Sequence, residues 1–459
     1  MRFKGTLVLF LVFAALGGYV YFSDFHDKEA RTKQEEAKKR LFDGEAKEVT
    51  EVTLESEGRT VSAVRKGEKD WEITSPTGLE ADPEAWDQLA ASFVGIQKDE
   101  VISAQKADLA PYGLDKPGIA VRVKLKSGTA AGVLFGSENP KKTFHYAKRT
   151  DTDEVFLVPT SSSGSFKKSL TDLRNKKVLD FESDSIDAVR IQPSGSPDLE
   201  LQKSGMDWLI KKPLEARADA GEVTSFLSAI QFSRASAFAD EGVDAKAAGL
   251  ETPSVKIMLH DSKAASDRTL LFGKSPEKDK YYAKDAARPG IFILATEIID
   301  KARKPVLDWR DKTIVRFGEG GAPGIDEMEI VRGTDKLSLK KTGSDWALSD
   351  GRKVQESKIF EMLNTLESER AEAFVESSRT LSSVGLDKPR LELVLREKGK
   401  EVAALKFGSD SSNPAGVHVK AINPAIMVAS KALYDKLNIK ASDLVEAQPT
   451  QPSPVVPSK

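Results

Sequence analysis

At 459 residues the chain has room for about three domains, and 39% apolar against 31% charged residues is the balance of a polar-surfaced globular protein. Its 69 basic and 71 acidic residues nearly cancel to a formal charge of −2, which excludes the broad cationic field that nucleic-acid binding requires. The absence of cysteine excludes disulfides, thiolate nucleophiles, iron–sulfur clusters and cysteine-ligated zinc, so an exported domain of this sequence must be stable through packing alone.

The first element is an unbroken apolar run from Thr6 to Phe22, preceded by Arg2 and Lys4. Its length and lack of charge predict an N-terminal transmembrane helix inserted in the lipid bilayer, with Tyr19, Tyr21 and Phe22 at an interface. A cleaved signal peptide competes, with Ala15-Leu16-Gly17 as its small-residue site, but the apolar run continues through Val20 and Phe22 and favours an uncleaved anchor. The basic pair places the N-terminus in the cytoplasm and the body outside it. Residues 1–23 are thus assigned as cytoplasmic tip and anchor, and 24–46 as a polar helical stalk. Asp24 to Leu41 carries helix formers and opposite charges at helical spacing without an apolar stripe, and would extend about 27 Å as a helix.

Beyond the stalk the chain repeats itself. Gly113-Leu114-Asp115-Lys116-Pro117 returns as Gly249-Leu250-Glu251-Thr252-Pro253 and Gly385-Leu386-Asp387-Lys388-Pro389, a constant step of 136 residues (113, 249, 385). Each follows a short helix-forming stretch, so glycine is expected to take a left-handed C-terminal conformation, leucine its apolar contact, and proline the start of extended chain. The step is domain-sized, which predicts three tandem copies at 47–182, 183–318 and 325–446, followed by a proline-rich, disordered tail at 447–459.

Within each copy the elements come in one order. Alternating patterns open it at Val49–Glu55, Asp187–Ile191 and Asp326–Val331, followed by hairpins turning at Gly67, Gly205 and Gly343 and by the pairs Asp70-Trp71, Asp207-Trp208 and Asp345-Trp346. Helices follow, with apolar stripes Trp86, Leu89, Ala90, Phe93; Val223, Phe226, Leu227, Ile230; and Ile359, Met362, Leu363, Leu366. Asp82 and Asp219 are expected N-caps, and Gln355 in the third copy is a weaker one. After the Gly-Leu corner come four strands, the second ending in Phe135-Gly136, Phe272-Gly273 or Phe407-Gly408. A last helix closes each copy at Phe166 to Leu173, Ile298 to Trp309 and Leu433 to Leu437. The first two copies end in the related tails Asp172-Leu173-Arg174-Asn175-Lys176 and Asp308-Trp309-Arg310-Asp311-Lys312, which the third lacks on this reading. The fold class is α+β: an anchor helix, then three tandem repeats, each a mainly antiparallel sheet with two helices.

Chemistry is hard to find. Gly273-Lys274-Ser275 resembles the end of a phosphate-binding loop, but Arg268 stands where a glycine is required and a strand follows instead of a helix. Gly318-Glu319-Gly320-Gly321-Ala322-Pro323-Gly324 reads as a flexible linker between copies. His26, His145, His260 and His418 are too scattered for a metalloprotease-like zinc site, and Ser161-Ser162-Ser163-Gly164-Ser165 lacks a nucleophile elbow. Asp70, Asp207 and Asp345 sit in tight turns where aspartate bonds the local backbone. Arg174 and Arg310 have the chemistry to grip an anionic partner, although pairing with a neighbouring carboxylate is the plainer role. No catalytic, cofactor-binding or metal residue is assigned, and no small-molecule cofactor is expected.

The series of Asp-Trp hairpin, capped helix, Tyr112-Gly113-Leu114-Asp115-Lys116-Pro117 turn, Leu-Phe-Gly strand, Tyr281-Tyr282-Ala283-Lys284 strand and Asp308-Trp309-Arg310-Asp311-Lys312 tail resembles the bacterial domain of unknown function (DUF) 4340 family over roughly residues 47–446. That resemblance implies a membrane-anchored envelope protein whose genes often neighbour those of a gliding-motility-type ABC transporter. The resulting expectation is a non-enzymatic, single-pass inner-membrane protein with a periplasmic body, an accessory or scaffold of a transport system contacting a membrane or envelope protein partner. The alternatives are a periplasmic glycan- or peptide-binding module using exposed aromatics such as Tyr146, Tyr281 and Tyr282, and a hydrolase whose carboxylate pair is visible only in three dimensions.

Overall fold

A computed structural model describes residues 12–13, 39–104, 108–239, 243–318, 320–375, 378–421 and 425–445. All of the anchor Thr6–Phe22 except residues 12 and 13, most of the stalk and the tail 447–459 lie outside the described residues; among the described ones, no helix is long and apolar enough to cross a membrane.

Alternating strand patterns broken by glycine turns give three antiparallel sheets of eight, nine and eight strands, one per copy. In the first copy the strands are β1 (Val49–Ser56), β2 (Arg59–Lys66), β3 (Asp70–Ser75), β4 (Val101–Ser103), β5 (Ile119–Leu125), β6 (Ala130–Glu138), β7 (Phe144–Arg149) and β8 (Val155–Pro159). They lie in the order β3-β2-β1-β5-β6-β7-β8-β4, two meanders joined through the antiparallel pair β1 and β5, in which Val52 faces Val123 and Leu54 faces Val121.

The second copy has β9 (Ile186–Pro193), β10 (Leu199–Ser204), β11 (Asp207–Lys212), β12 (Ala216–Arg217), β13 (Ala237–Phe238), β14 (Val255–Asp261), β15 (Ser266–Phe272), β16 (Lys280–Asp285) and β17 (Phe292–Ala295). The third has β18 (Glu327–Arg332), β19 (Asp335–Thr342), β20 (Asp345–Leu348), β21 (Ala373–Phe374), β22 (Leu391–Glu397), β23 (Lys400–Ser412), β24 (Ala415–Lys420) and β25 (Ile426–Ala429), ordered β20-β19-β18-β22-β23-β24-β25-β21. By packing, the chain divides into two compact units, Met1–Ile186 with Ser228–Asp300 and Asp187–Leu227 with Lys301–Lys459. The second copy therefore contributes β9–β12 to one unit and β13–β17 to the other.

The predicted helical stripes lie on Pro83–Val94, Ala220–Phe232 and Glu356–Ser368, and all twelve stripe residues are buried. At roughly 1.5–3 kcal/mol for each large side chain removed from water, the stripe outweighs helix propensity in holding the helix in place. Asp82 accepts from the Glu84 and Ala85 amides, Asp219 from those of Gly221 and Glu222, and Gln355 gives no side-chain cap, as its residue type implied.

The repeated glycines form one device. Gly113, Gly249 and Gly385 have φ of 64°, 72° and 70°, and the following leucine amides bond back to Leu109, Ala245 and Leu381 at 3.1, 2.7 and 2.8 Å. Against each corner lies the glycine of the Phe-Gly pair. A Cβ on Gly136, Gly273 or Gly408 would stand 2.1, 2.0 or 2.1 Å from the carbonyl oxygen of Tyr112, Ala248 or Val384, so only glycine lets strand and corner touch.

Several expectations are corrected. The single closing helix of each copy is two short pieces: Thr160–Gly164 and Leu170–Leu173, Glu297–Ala302 and Val306–Trp309, Lys431–Leu437 and Ala441–Leu444. Phe166, Pro305 and Asn438 lie between the pieces, Pro305 as the N-cap of the second piece in its copy.

The third copy does have a tail. Leu444 accepts from the Gln355 amide at 2.8 Å as Leu173 does from Asp82 (3.0 Å) and Trp309 from Asp219 (2.8 Å), which aligns Asp443-Leu444-Val445 with Asp172-Leu173-Arg174. The glycine-rich stretch, expected to be a flexible linker, is folded at its described residues. Gly321–Gly324 is a helical turn with Ala322 buried, and Gly318, Gly320 and Gly324 leave room for the Glu397 carboxylate. At the end of the stretch assigned to the stalk, Leu41 is buried in the first core and Phe42 stacks on Phe93 at 4.4 Å.

Candidate functional site

Most residues singled out for chemistry have structural work. His145 Nδ1 lies 3.0 Å from the Gly136 carbonyl and His418 Nδ1 2.9 Å from that of Ser409, so both tie neighbouring strands behind the Phe-Gly pair. Tyr146 packs on Tyr112 at 5.0 Å and Tyr282 on the small core of Ala248, Leu250 and Ile291; both are half-buried corner residues, which corrects the picture of exposed aromatics. Ser163 is buried and donates to the Thr160 carbonyl, and Gly273 faces the Ala248 carbonyl, so neither the serine cluster nor Gly273-Lys274-Ser275 forms a reaction centre. Among the described residues, no three or more histidine, aspartate or glutamate side chains are grouped to hold a metal ion.

Arg174 and Arg310 share a contact that the sequence reading did not foresee. Each extends from the tail of one copy over an aromatic ring in the next copy's edge strand: Arg174 lies 3.6 Å from the centroid of Phe238 in β13, and Arg310 3.8 Å from that of Phe374 in β21. A guanidinium is planar and weakly hydrated, so it stacks where lysine would not. The equivalent edge-strand position in the first copy is Val101, and the equivalent tail position in the third is Val445, so neither outer end carries the pair.

Beside each stack lies a cleft. Within the first compact unit it measures about 110 Å³ and is lined by Arg288, which donates to Glu80 at 2.8 Å, to Asp285 at 2.9 Å and to the Val178 carbonyl at 3.0 Å. Within the second unit the corresponding cleft measures about 370 Å³. The difference follows from three positions. Arg217 occupies the place of Glu80, Ala421 that of Asp285, and the sequence from Ala421 to Ala425 has no arginine to match Arg288.

Its walls combine the apolar Ile314, Val315, Val402, Ala403, Ala404 and Ala421 with Glu215, Arg217, Arg310, Asp311, Thr313 and Arg316. Arg217 lies 3.4 Å from Asp207, and Arg316 3.9 Å from Asp207 while also bonding Asp311, so these two cations are matched by two carboxylates. Burial acts to raise the Asp311 carboxyl, but hydrogen bonds from Arg316 and Thr313 overcome it and hold the group below the ordinary aspartate value. For Arg310, burial pulls the guanidinium below its usual value; it remains charged, and among the described residues no acceptor receives its protons.

A cleft bordered by two repeated copies and a repeated stacking arginine is a property of the tandem plan, and the family comparison bears on that plan directly. The description Domain of unknown function (DUF4340) matches residues 71–253, 208–383 and 353–455. The chain belongs to the DUF4340 family. Two of the DUF4340 matches begin at Trp71 and Trp208, the tryptophans of the repeated hairpin, and together the three span the copies from the first hairpin onward. Comparison with curated proteins and with solved structures gives no match.

Sequence reasoning missed Phe238 and Phe374 as the arginines' partners. The signal was present: Ala237-Phe238 and Ala373-Phe374 recur at the same step as the glycine corners. The cleft itself had no signal, because it depends on what the second junction lacks.

Proposed function

We propose that this DUF4340 protein is a non-enzymatic scaffold of the bacterial envelope. On this reading Thr6–Phe22 anchors it in the inner membrane, the N-terminus is cytoplasmic, and three modules stand in the periplasm as an accessory of an ABC-type transport system. The observation that carries the proposal is the use made of the residues common to all copies: the corner glycines, the leucines that follow them, the hairpin tryptophans and the Phe-Gly pairs are all taken up in turns and cores. What was repeated is a shape, and shape is the working asset of a scaffold. Arg2 and Lys4 before the apolar run support the orientation, and the family resemblance supports the transporter association.

The test is photo-crosslinking of the full chain in intact cells, with probes on exposed positions such as Met206 and Phe360, followed by membrane fractionation and identification of adducts. Adducts to a transporter subunit in the inner-membrane fraction are expected. Recovery of the chain outside the membrane fraction, or of no envelope protein among the adducts, would overturn the proposal. The open cleft beside Arg310 favours a second reading, a periplasmic binding module.

A further inference from the structure

The two junction clefts are built to the same plan, yet one is plugged by the protein's own ion network and the other is open. The Arg–Phe stack explains an arginine at both junctions; it does not explain why the second has Arg217 in place of Glu80, Ala421 in place of Asp285 and no arginine to match Arg288. The consequence is chemical. In the first cleft Arg288 is met by two carboxylates, whereas in the second Arg217 and Arg316 are matched by Asp207 and Asp311, and Arg310 is left over. An arginine fork at the wall of an apolar cleft, desolvated and without an acceptor among the described residues, has the geometry for a bidentate carboxylate.

From these observations we infer that the cleft beside Arg310 binds a small organic monocarboxylate carrying a short apolar group, its carboxylate on Arg310 and its apolar part against Val402, Ala404 and Ala421. The volume of about 370 Å³ lies at the small end of the ordinary ligand-pocket range of roughly 300–1,000 Å³, which sets the ligand at amino-acid rather than oligomer size. A single negative charge fits best, because Glu215 at the exposed mouth and Asp311 inside both repel a second. The inference rests on the cleft alone and is independent of the scaffold proposal.

N-acetyl-leucine and N-acetyl-leucinamide form a matched pair of probes that differ only in the charged group. They are titrated against the full chain in nanodiscs by ligand-observed NMR, with empty nanodiscs as the blank. The acid is expected to bind and the amide to bind at least ten-fold more weakly. Arg310→Gln is expected to weaken the acid at least ten-fold. Ala421→Asp, which places a protein carboxylate where Asp285 stands in the plugged cleft, is expected to abolish acid binding whether or not Arg310→Gln folds. Equal binding of acid and amide, no binding of the acid, or acid binding that survives Ala421→Asp would each overturn the inference.

Discussion

At the scale of single residues, the corner glycines make the sharpest claim. Gly136 and Gly67 are both glycines in the first copy, but a Cβ on Gly136 would collide with the Tyr112 carbonyl while one on Gly67 would meet open space. Gly67→Ala incurs only the strain of its positive φ, about 1 kcal/mol. Gly136→Ala must displace backbone and is expected to cost on the order of 3 kcal/mol, near the upper end of overpacking penalties. Urea unfolding followed by tryptophan fluorescence separates the two. Equal midpoints would show that strand and corner are not in contact.

Asp311 gives a pH-dependent counterpart. Its folded-state pKa is depressed, so its stabilising contribution is present above the unfolded value near 4 and is lost as pH falls through the folded value. The melting temperature should therefore drop on acidification below about pH 4, and Arg316→Gln should lower it at pH 7 while flattening that acid limb. A variant as acid-sensitive as the parent would show that Arg316 is not what depresses Asp311.

At the scale of elements, the copies solve one packing problem with different residues. In the first, the Trp86 indole donates to the Leu173 carbonyl at 3.0 Å, a large helix residue over a small tail residue. In the second the sizes are exchanged: Val223 is on the helix, and Trp309 in the tail meets Phe226 edge-on at 5.3 Å. Trp86→Val is expected to cost about 3 kcal/mol through the cavity it leaves, and Leu173→Trp added to it should restore a good part of that. A double mutant no more stable than Trp86→Val alone would sink the exchange.

The helical stripes were legible because period 3.6 is strong over twelve or more residues, and the strands because alternation and glycine turns agreed. The two-piece closing helices were not, since a break by capping and packing leaves little mark on composition. Asp443-Leu444-Val445 escaped notice because the arginine that flags the tail in the first two copies is valine in the third. The cleft was illegible for a related reason: its opening depends on residues apart in sequence and on replacements that leave nothing to recognise.

At the scale of the whole molecule, three sequence copies and two compact units are both real divisions of the chain. Within the first unit, Arg174, Lys177 and Val178 at the end of copy one are held by Phe238, Arg234 and Arg288 of copy two. A fragment stopped at residue 182 should therefore melt below the same copy in the intact chain, and the segment Lys177–Phe181 should lose most of its hydrogen-exchange protection. Equal protection in fragment and intact chain would show that the first copy is self-sufficient.

The valines at the two outer positions have a bearing on any attempt to re-engineer the array. A module spliced between existing ones would inherit both halves of the arginine–aromatic joint, because its neighbours already present a phenylalanine or a guanidinium. One fused behind Val445, or ahead of Val101, would meet an aliphatic stump and have to supply the missing half itself. Length is thus easier to add in the middle than at the ends.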